Sequence, residues 1–225
     1  MKKQVDKSHY RFAKYLHSRR WASMWHQIDE VLRFGPGCVL EVGPGAGVFK
    51  AVCEVLGVAV ETADIDPELG PDYICSVLDL PFEDAAFDVT CAFQMLEHIP
   101  FEDSMRALAE LGRTARNGVV VSLPDADPAW PTIVTLPRFG QRSFLLRKPF
   151  FRPKEHVFRG EHYWEINKKG YSLAKVISAF ATISALRLRK TYRVPQFPYH
   201  RFFVFEKRTQ EAVPTPTKHR SQVVE

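Results

Sequence analysis

The feature that most constrains the fold is a glycine-rich turn between a short apolar segment and an amphipathic one. Residues 38–42 form an apolar run suited to a buried parallel strand, and Gly43-Pro44-Gly45-Ala46-Gly47 follows directly. The residues from Val48 to Leu56 then predict a helix that Gly57 ends as its C-cap. Glycines let a ligand approach the backbone, and the helix start offers free N–H groups. The unit therefore predicts a ligand site at the turn.

Strands and helices continue to alternate along the chain. We predict further strands at 58–63, 72–75, 87–93 and 118–123, and helices at 10–32, 102–111 and 172–180. Two alternating segments, 182–194 and 201–206, flank Pro195-Gln196-Phe197-Pro198 and predict an antiparallel hairpin with a long loop. The alternation predicts an α/β chain with a parallel sheet and helices on both faces. In the first helix, Trp21, Trp25 and His26 are interpreted as core anchors.

Two acidic residues stand at the ends of the first two strands. Glu41 precedes the first glycine of a Gly-x-Gly-x-Gly turn by two positions, where a carboxylate disfavours a pyrophosphate and suits an ammonium group. Asp64 follows 23 residues later, where a carboxylate can accept hydrogen bonds from both ribose hydroxyls. Asp64 could also be only a strand-end or capping residue, as Asp66-Pro67 shows that such chemistry occurs nearby. The pair favours a nucleoside ligand with an amino group.

Four ordered segments resemble the motifs of class I S-adenosylmethionine-dependent methyltransferases, in particular the type 11 subgroup. They are Val39 to Gly47, Thr62 to Glu68, Asp79 to Val89 and Gln94 to Ile99. The resemblance covers residues 38–124 and implies a Rossmann-like, doubly wound, seven-stranded sheet, mostly parallel, with one antiparallel strand from a C-terminal hairpin. It implies S-adenosylmethionine as the cofactor and methyl transfer by in-line displacement.

The resemblance also implies roles for single residues. Glu41, Gly43, Gly45 and Gly47 would line the methionine moiety, Asp64 would hold the ribose, and Ile65 would pack on adenine. Where the family often has Asp near the adenine amino group, this chain has Ser76, followed by Val77, so that contact would be weaker. Gln94 would border the point of methyl transfer.

Histidines supply the candidates for catalysis, because imidazole titrates near neutrality. His98 could act as a general base, although the Leu-Glu-His segment usually shapes the pocket wall in this pattern. A second cluster, residues 155–165, contains two histidines and three glutamates, and His162 is the first choice for a group that touches the acceptor. The same cluster could bind a metal or form only a surface loop. We predict no metal here.

The charge of the chain is divided unevenly. Residues 1–130 hold 12 Lys+Arg and 20 Asp+Glu, whereas residues 131–225 hold 19 and 6, which gives net charges of −8 and +13. Within the basic half, residues 128–170 show no clean period and predict an inserted substrate cap. Its aromatic and basic residues suit an anionic or amphiphilic acceptor, such as a glycan, a lipid-linked intermediate or a phenol; the aromatic residues are Phe144, Phe150, Phe151, Phe158, Tyr163 and Trp164.

The organisation that follows is a single methyltransferase domain at 1–207, with an N-terminal helical lid at 1–37 and a disordered tail at 208–225. Cys38, Cys53, Cys75 and Cys91 stand singly in apolar stretches, which predicts buried, reduced thiols in a cytoplasmic protein. No apolar run is long enough to span a bilayer, so membrane contact would be peripheral. Two other functions stay open: a nucleic-acid methyltransferase, suggested by the basic half, and a non-catalytic scaffold that binds cofactor.

Overall fold

A computed structural model describes residues 15–208. The helices are α1 (Ser18–Leu32), α2 (Val48–Val55), α3 (Phe101–Thr114) and α4 (Leu173–Phe180). The strands are β1 (Cys38–Val42), β2 (Ala59–Asp64), β3 (Tyr73–Ile74), β4 (Phe87–Phe93), β5 (Ala115–Pro124), β6 (Ala129–Leu136), β7 (Gly140–Arg147), β8 (Leu186–Val194) and β9 (Phe197–Lys207). Single 3₁₀ turns follow β2 at Pro67–Leu69 and β4 at Leu96–His98. The predicted 208–225 tail, apart from Arg208, lies outside the described residues.

Seven strands form one sheet in the order β3-β2-β1-β4-β5-β9-β8. The first five pair in parallel, and β9 is antiparallel to both of its neighbours. The predicted fold class, a doubly wound and mostly parallel sheet with one antiparallel strand from a C-terminal hairpin, is confirmed. In such a sheet the ligand site lies beyond the carboxyl ends of the parallel strands, where the strand order reverses. Here that point lies between β1 and β4.

The sheet is buried on both faces, which explains why its central strands are almost continuously apolar. One face packs with α3 and α4 around residues such as Leu40, Leu108 and Phe203. The other face packs with α1 and α2 around Val39 and Phe202, among others. Alternate residues of β1 thus enter opposite halves of the core, and Glu41 falls on the face that carries Val39.

The first helix differs from its prediction in two respects. Residues 10–14 lie outside the described part, and the helical conformation at Tyr15 is interrupted at Leu16 and His17 before α1 begins. The predicted anchors Trp21 and Trp25 are wrong, because they are 51% and 59% exposed. The buried face of α1 consists mainly of smaller or polar residues, namely Ser23, Met24, Gln27, Glu30 and Val31.

The C-terminal hairpin is confirmed, but its predicted long loop is wrong. Strands β8 and β9 are joined by two residues, and Val194 already pairs with Phe197. The next pair is Arg193 with Arg201, so residues 198–200 form a bulge in β9 opposite β8. Pro198 lacks an N–H group and is tolerated in a bulge, where ladder hydrogen bonds are interrupted. The bulge redirects the backbone at the residues that reach the candidate site.

The inserted segment is more regular than the sequence indicates. Strands β6 and β7 form a separate two-stranded hairpin in which Thr132 pairs with Phe144. The rest of the insertion returns to the main body, where Trp164 is fully buried and donates through Nε1 to Ser104 Oγ at 3.0 Å. The prediction that Trp164 faces an acceptor is therefore wrong. It anchors the end of the insertion to the start of α3.

The four cysteines are free thiols. Cys53 and Cys91 are buried as predicted, whereas Cys38 and Cys75 are partly buried. Burial raises the pKa of the Cys53 thiol to about 11. None of the helices in the described part of the chain is long and apolar enough to cross a membrane.

Candidate active site

The glycine turn forms a backbone loop at the carboxyl end of β1. Gly43, Gly45 and Gly47 have φ angles of 76°, 54° and 70°, the left-handed region that favours glycine. At Gly43 the reason is also steric, since an added Cβ would lie 2.7 Å from Met95 Cγ. Gly47 precedes the first residue of α2 and has open space where a side chain would be. The loop therefore leaves room for a ligand against its backbone.

Glu41 lies beneath this loop and is 3% exposed. Its Oε2 atom has no hydrogen-bond partner among residues 15–208. Burial raises the pKa of Glu41 to about 8, although the Lys50 ammonium opposes the shift. A buried carboxylate without a partner costs folding free energy, of the order of 1–3 kcal/mol or more. The site is therefore set to receive a cation or hydrogen-bond donor.

Asp64 lies at the end of the neighbouring strand and is only partly buried. Its Oδ1 accepts a hydrogen bond from the Asp66 amide at 2.9 Å, which shapes the turn after β2. Burial nevertheless raises the pKa of Asp64. The second carboxylate oxygen can still take part in ligand binding, so both the turn and the ribose interpretation fit the geometry. Ile65, next in the chain, is half-buried beside it.

Ser76 and Val77 lie in the turn that follows β3. Ser76 forms an isolated bridge with Asp79, and its Oγ accepts from the Leu78 amide at 3.2 Å. Val77 is buried in the core, 2% exposed.

Gln94 follows β4 in the left-handed conformation, with φ 53°. Its amide N–H donates to the Ser122 carbonyl and its Nε2 donates to Ser122 Oγ at 3.2 Å. These bonds hold the start of the segment after β4 against β5. The residues that come next, Glu97 and His98, are positioned from there.

Glu97 is fully buried, and sequence reasoning did not select it. Both of its carboxylate oxygens lack hydrogen-bond partners in the part of the chain that the structure describes. Burial raises the pKa of Glu97 to about 7, against the opposing effect of nearby His162. The Leu-Glu-His segment contains Glu97, but its histidine, which titrates near neutrality, was the predicted residue.

The structure brings the two predicted histidines together. The rings of His98 and His162 make an edge-to-face contact with centroids 4.9 Å apart. His98 Nδ1 lies 3.1 Å from the Glu161 carbonyl oxygen, and His162 Nδ1 lies 3.1 Å from Glu165 Oε1. Burial lowers the pKa of His162, but the hydrogen bond to Glu165 and the charges of Glu97, Glu165 and Glu161 outweigh it, so the pKa is raised. Residues 64 positions apart thus form one cluster.

The N-terminal residues connect this cluster to the glycine loop. Burial raises the pKa of Tyr15, Arg20 opposes the shift, and the charges of Glu41 and Glu97 both add to it. Arg20 Cζ lies 4.1 Å from the centre of the Tyr15 ring. The charges of both carboxylates thus act on the Tyr15 hydroxyl.

The bulge of β9 brings Tyr199 next to the histidine cluster, where it hydrogen-bonds with Glu165. Burial raises the pKa of Tyr199 above its usual range, and the charges of Glu165 and Glu97 add to the shift. The neighbouring His200 is 1% exposed and its Nδ1 lies 2.8 Å from Ser23 Oγ. Burial lowers the pKa of His200 well below its ordinary value. Tyr199 and His200 were missed because no local motif marks them.

The sheet order defines a Rossmann-like α/β fold. The glycine loop and two carboxylates at adjacent strand ends add a candidate nucleotide site to it. A family model described as a methyltransferase domain matches residues 9–172. Since this match spans more than half of the chain, the chain belongs to that family and is an S-adenosylmethionine-dependent methyltransferase. This confirms the predicted class and cofactor, while the type 11 subgroup stays a prediction.

Solved structures with the same fold are distant in sequence. The PH0226 protein from Pyrococcus horikoshii OT3 is 14% identical, with a TM-score of 0.58 over 91% of this chain and 100% of that one. The 1,6-didemethyltoxoflavin N1-methyltransferase of Burkholderia thailandensis is 16% identical, with a TM-score of 0.58 over 90% and 85%. Magnesium protoporphyrin IX methyltransferase from Synechocystis PCC 6803 is 13% identical, with a TM-score of 0.55 over 84% and 80%. At these identities the likeness shows the fold alone.

Proposed function

We propose that this chain transfers the methyl group of S-adenosylmethionine to a small or amphiphilic acceptor that bears an anionic group. The observation that carries the proposal is the buried carboxylate of Glu41 beneath the glycine loop, whose Oε2 has no hydrogen-bond partner among residues 15–208. An ammonium group of the cofactor would supply the missing partner. Two similar folds support the cofactor and a small acceptor, since one was crystallised with 1,6-didemethyltoxoflavin and S-adenosylhomocysteine and another with S-adenosylmethionine.

The cofactor would lie along the carboxyl edge of β1, β2 and β4. Glu41 and the backbone of Gly43, Gly45 and Gly47 would hold the methionine end. The ribose would be bound by Asp64, and the adenine would lie near Ile65, Ser76 and Val77. Gln94, held on Ser122, would border the sulfonium. When bound, the cofactor supplies an electrophilic methyl group.

The acceptor would enter from the other side of Gln94, next to His98 and His162. We propose His162 as the residue that contacts it, with Glu165 fixing the imidazole through Nδ1. The acceptor atom loses its proton and forms a bond to the methyl carbon as the carbon–sulfur bond breaks. The products are the methylated acceptor, S-adenosylhomocysteine and one proton. Alignment of the reactants can supply on the order of 7–11 kcal/mol of the rate enhancement.

The insertion at 128–170 supports an amphiphilic, anionic acceptor and its proposed role as a substrate cap. Residues 128–154 contain six basic side chains and no acidic one; they are Arg138, Arg142, Arg147, Lys148, Arg152 and Lys154. One face of the hairpin presents apolar side chains to solvent, among them Trp130 at 51%, Phe144 at 47% and Leu146 at 50% exposure. Apolar patches ringed by charge are typical of binding surfaces. Peripheral membrane contact by this hairpin would fit the same chemistry.

The first experiment is calorimetry with purified protein and S-adenosylmethionine. Binding is expected, and Asp64→Ala should weaken it by about 1–3 kcal/mol through the loss of charge-assisted hydrogen bonds. Asp103→Ala removes a carboxylate from the surface of α3 and serves as the matched control, with unchanged affinity. Equal affinity for NAD and S-adenosylmethionine would contradict the proposed cofactor site.

The acceptor is then sought with a labelled methyl group in a metabolite extract and, separately, in total nucleic acid, followed by mass analysis of the labelled product. A labelled small molecule supports the proposal. Labelled RNA or DNA would instead favour a nucleic-acid methyltransferase, for which the basic second half of the chain is the motive. Cofactor binding without any turnover would favour the scaffold function.

A further inference from the structure

A carboxylate and two imidazoles converge at the acceptor end of the site. Glu97, His98 and His162 each offer one ligand atom, and these atoms lie within 4.8 Å of one another. A divalent ion such as Zn²⁺ holds nitrogen and oxygen ligands at about 2.0–2.2 Å. A small inward movement of the side chains would close this group around one ion. Glu97 and His98 are adjacent on the 3₁₀ turn after β4, and His162 comes from the end of the insertion.

The state of Glu97 points independently to a ligand. Its side chain is 0% exposed, and neither carboxylate oxygen has a hydrogen-bond partner among residues 15–208. Buried charges in proteins are paired or coordinate metals, because the desolvation penalty of an isolated carboxylate is large. Among the described groups, His162 and Arg20 lower the pKa of Glu97 through their charges, but neither donates a hydrogen bond to its side chain.

The hydrogen bonds of the two histidines fit the same interpretation. Glu165 faces His162 Nδ1 at 3.1 Å, and the carbonyl oxygen of Glu161 faces His98 Nδ1 at 3.1 Å. Carbonyls and ionised carboxylates only accept hydrogen bonds, so Nδ1 carries the proton in each ring. In a neutral imidazole the lone pair is then on Nε2. Histidines that ligate metals are usually held in this way by a carboxylate or a backbone carbonyl.

We propose that Glu97, His98 and His162 bind one divalent transition-metal ion at the acceptor end of the active site. Two imidazoles and one carboxylate suit Zn²⁺, Co²⁺, Mn²⁺ or Fe²⁺ better than Mg²⁺ or Ca²⁺, which prefer oxygen ligands. Three protein ligands leave coordination positions for another group, as in catalytic sites. This proposal departs from the sequence-based expectation of no metal.

The role of the ion rests on the proposed methyl transfer, whereas its binding does not. An acceptor with a hydroxyl or phenol group would place its oxygen on the open position. The ion lowers the pKa of the bound hydroxyl, whose proton leaves to solvent, and fixes the oxygen for attack on the methyl carbon. The acceptor class is therefore an oxygen nucleophile.

The test is a titration of chelator-treated protein with Co²⁺, followed by visible absorption, since ligand-field bands report the ion's coordination. One ion per chain is expected. Glu97→Gln and His162→Ala should each weaken binding at least 100-fold. Glu165→Gln leaves the three ligands in place and should weaken it about 10- to 100-fold. His26→Ala, on α1, removes a histidine outside the cluster and should bind Co²⁺ like the unmodified chain.

Calorimetry with S-adenosylmethionine shows whether each variant is folded and separates the two proposals. Retained cofactor affinity with lost Co²⁺ binding supports the metal site. Absence of ligand-field bands and of tightly bound metal in the unmodified chain overturns it, whether or not methyl transfer is found. If Glu97→Gln binds Co²⁺ as tightly as the unmodified chain does, the assignment of the three ligands is overturned. Should Glu97→Gln not fold, His162→Ala decides between these results.

Discussion

The two ends of the proposed active site, one for the cofactor and one for the acceptor, are built in different ways. At the cofactor end, Glu41 to Gly47, Asp64 and Gln94 lie at the carboxyl ends of three neighbouring parallel strands. At the acceptor end, side chains come from the residues before and within α1, the turn after β4, the end of the insertion and the bulge of β9. The first end is therefore formed mainly by the backbone at the strand ends, and the second is formed by a cluster of side chains.

This difference separates two tasks: the first end would bind the cofactor, which all such enzymes share, and the second end would select the acceptor, which varies. A glycine loop between a buried strand and a helix is fixed by the main sheet, so changes elsewhere leave it intact. The acceptor cluster depends on elements far apart in the chain, such as Glu97 and Tyr199, which can change without disturbing the sheet. Loops carried on a rigid scaffold are where specificity usually lies.

The largest expected effect comes from His162→Ala. Turnover should fall by roughly 100-fold or more, because the imidazole would handle the acceptor proton directly or through a bound ion. Affinity for S-adenosylmethionine should stay unchanged, since its pocket is formed by the other end of the site. Steady-state kinetics and calorimetry together test this. Unchanged turnover and unchanged acceptor KM would show that His162 takes no part in methyl transfer.

A smaller effect is expected from the hairpin of β6 and β7. Neutralising Arg138 and Arg142 with glutamine should raise the KM for an anionic acceptor by roughly 10-fold, and less at high salt because exposed charges are screened. The kcat and the cofactor affinity should not change. Arg106→Gln, on the exposed side of α3, is the matched control. An equal rise in KM for both changes would mean that the hairpin does not select the acceptor.

The smallest effect concerns stability and tests the cofactor end alone. The pKa of Glu41 is about 8 in the folded chain and near 4.5 when unfolded, so the unfolded chain ionises first as the pH rises. The contribution of the protonated Glu41 to the free energy of unfolding is therefore fully present below about pH 4.5 and is lost as the pH rises through 8. Glu41→Gln should flatten the dependence between pH 6.5 and 8.5 by up to about 1.4 kcal/mol per pH unit.

Urea unfolding of the cofactor-free protein at several pH values measures this slope. The window avoids the acid range in which buried His200, whose pKa is lowered, destabilises the fold on protonation. Cofactor at saturating concentration should reduce the slope of the unmodified chain, because it supplies a partner for the ionised carboxylate. Identical slopes with and without Glu41 would contradict the assigned environment.

The sequence predicted the parts of the molecule that depend on local patterns. The bounds of β1 and β4 agree with the structure, because a buried parallel strand is an apolar run that ends at a polar residue or a turn. The tryptophans of α1 were misassigned because helical spacing shows which residues share a face, not which face is covered. In this helix Ser23 and Gln27 are covered and Trp25 is not.

The acceptor end could not be derived in the same way. Glu97 and His162 lie far apart in the chain, and their contact depends on how the insertion returns through Trp164 to α3. Tyr199 reaches the site through a bulge that proline makes possible, but Pro195 and Pro198 in the sequence suggested a loop. The position of Tyr199 and the contact of Glu97 with His162 both depend on long-range packing. A local sequence pattern carries no information about such packing.

The place of β9 in the sheet has a consequence for how the chain matures. This strand, the last that the structure describes, lies between β5 and β8 and contributes Phe202, Phe203 and Phe205 to the interior. During synthesis the ribosome releases β1 to β5 long before β9, and domains generally fold as units. The partly made chain thus exposes one edge of β5 and an unfilled apolar interior. Nascent chains stalled before Phe197 would be targets for chaperones, because the edge of β5 is covered only when the hairpin of β8 and β9 pairs with it.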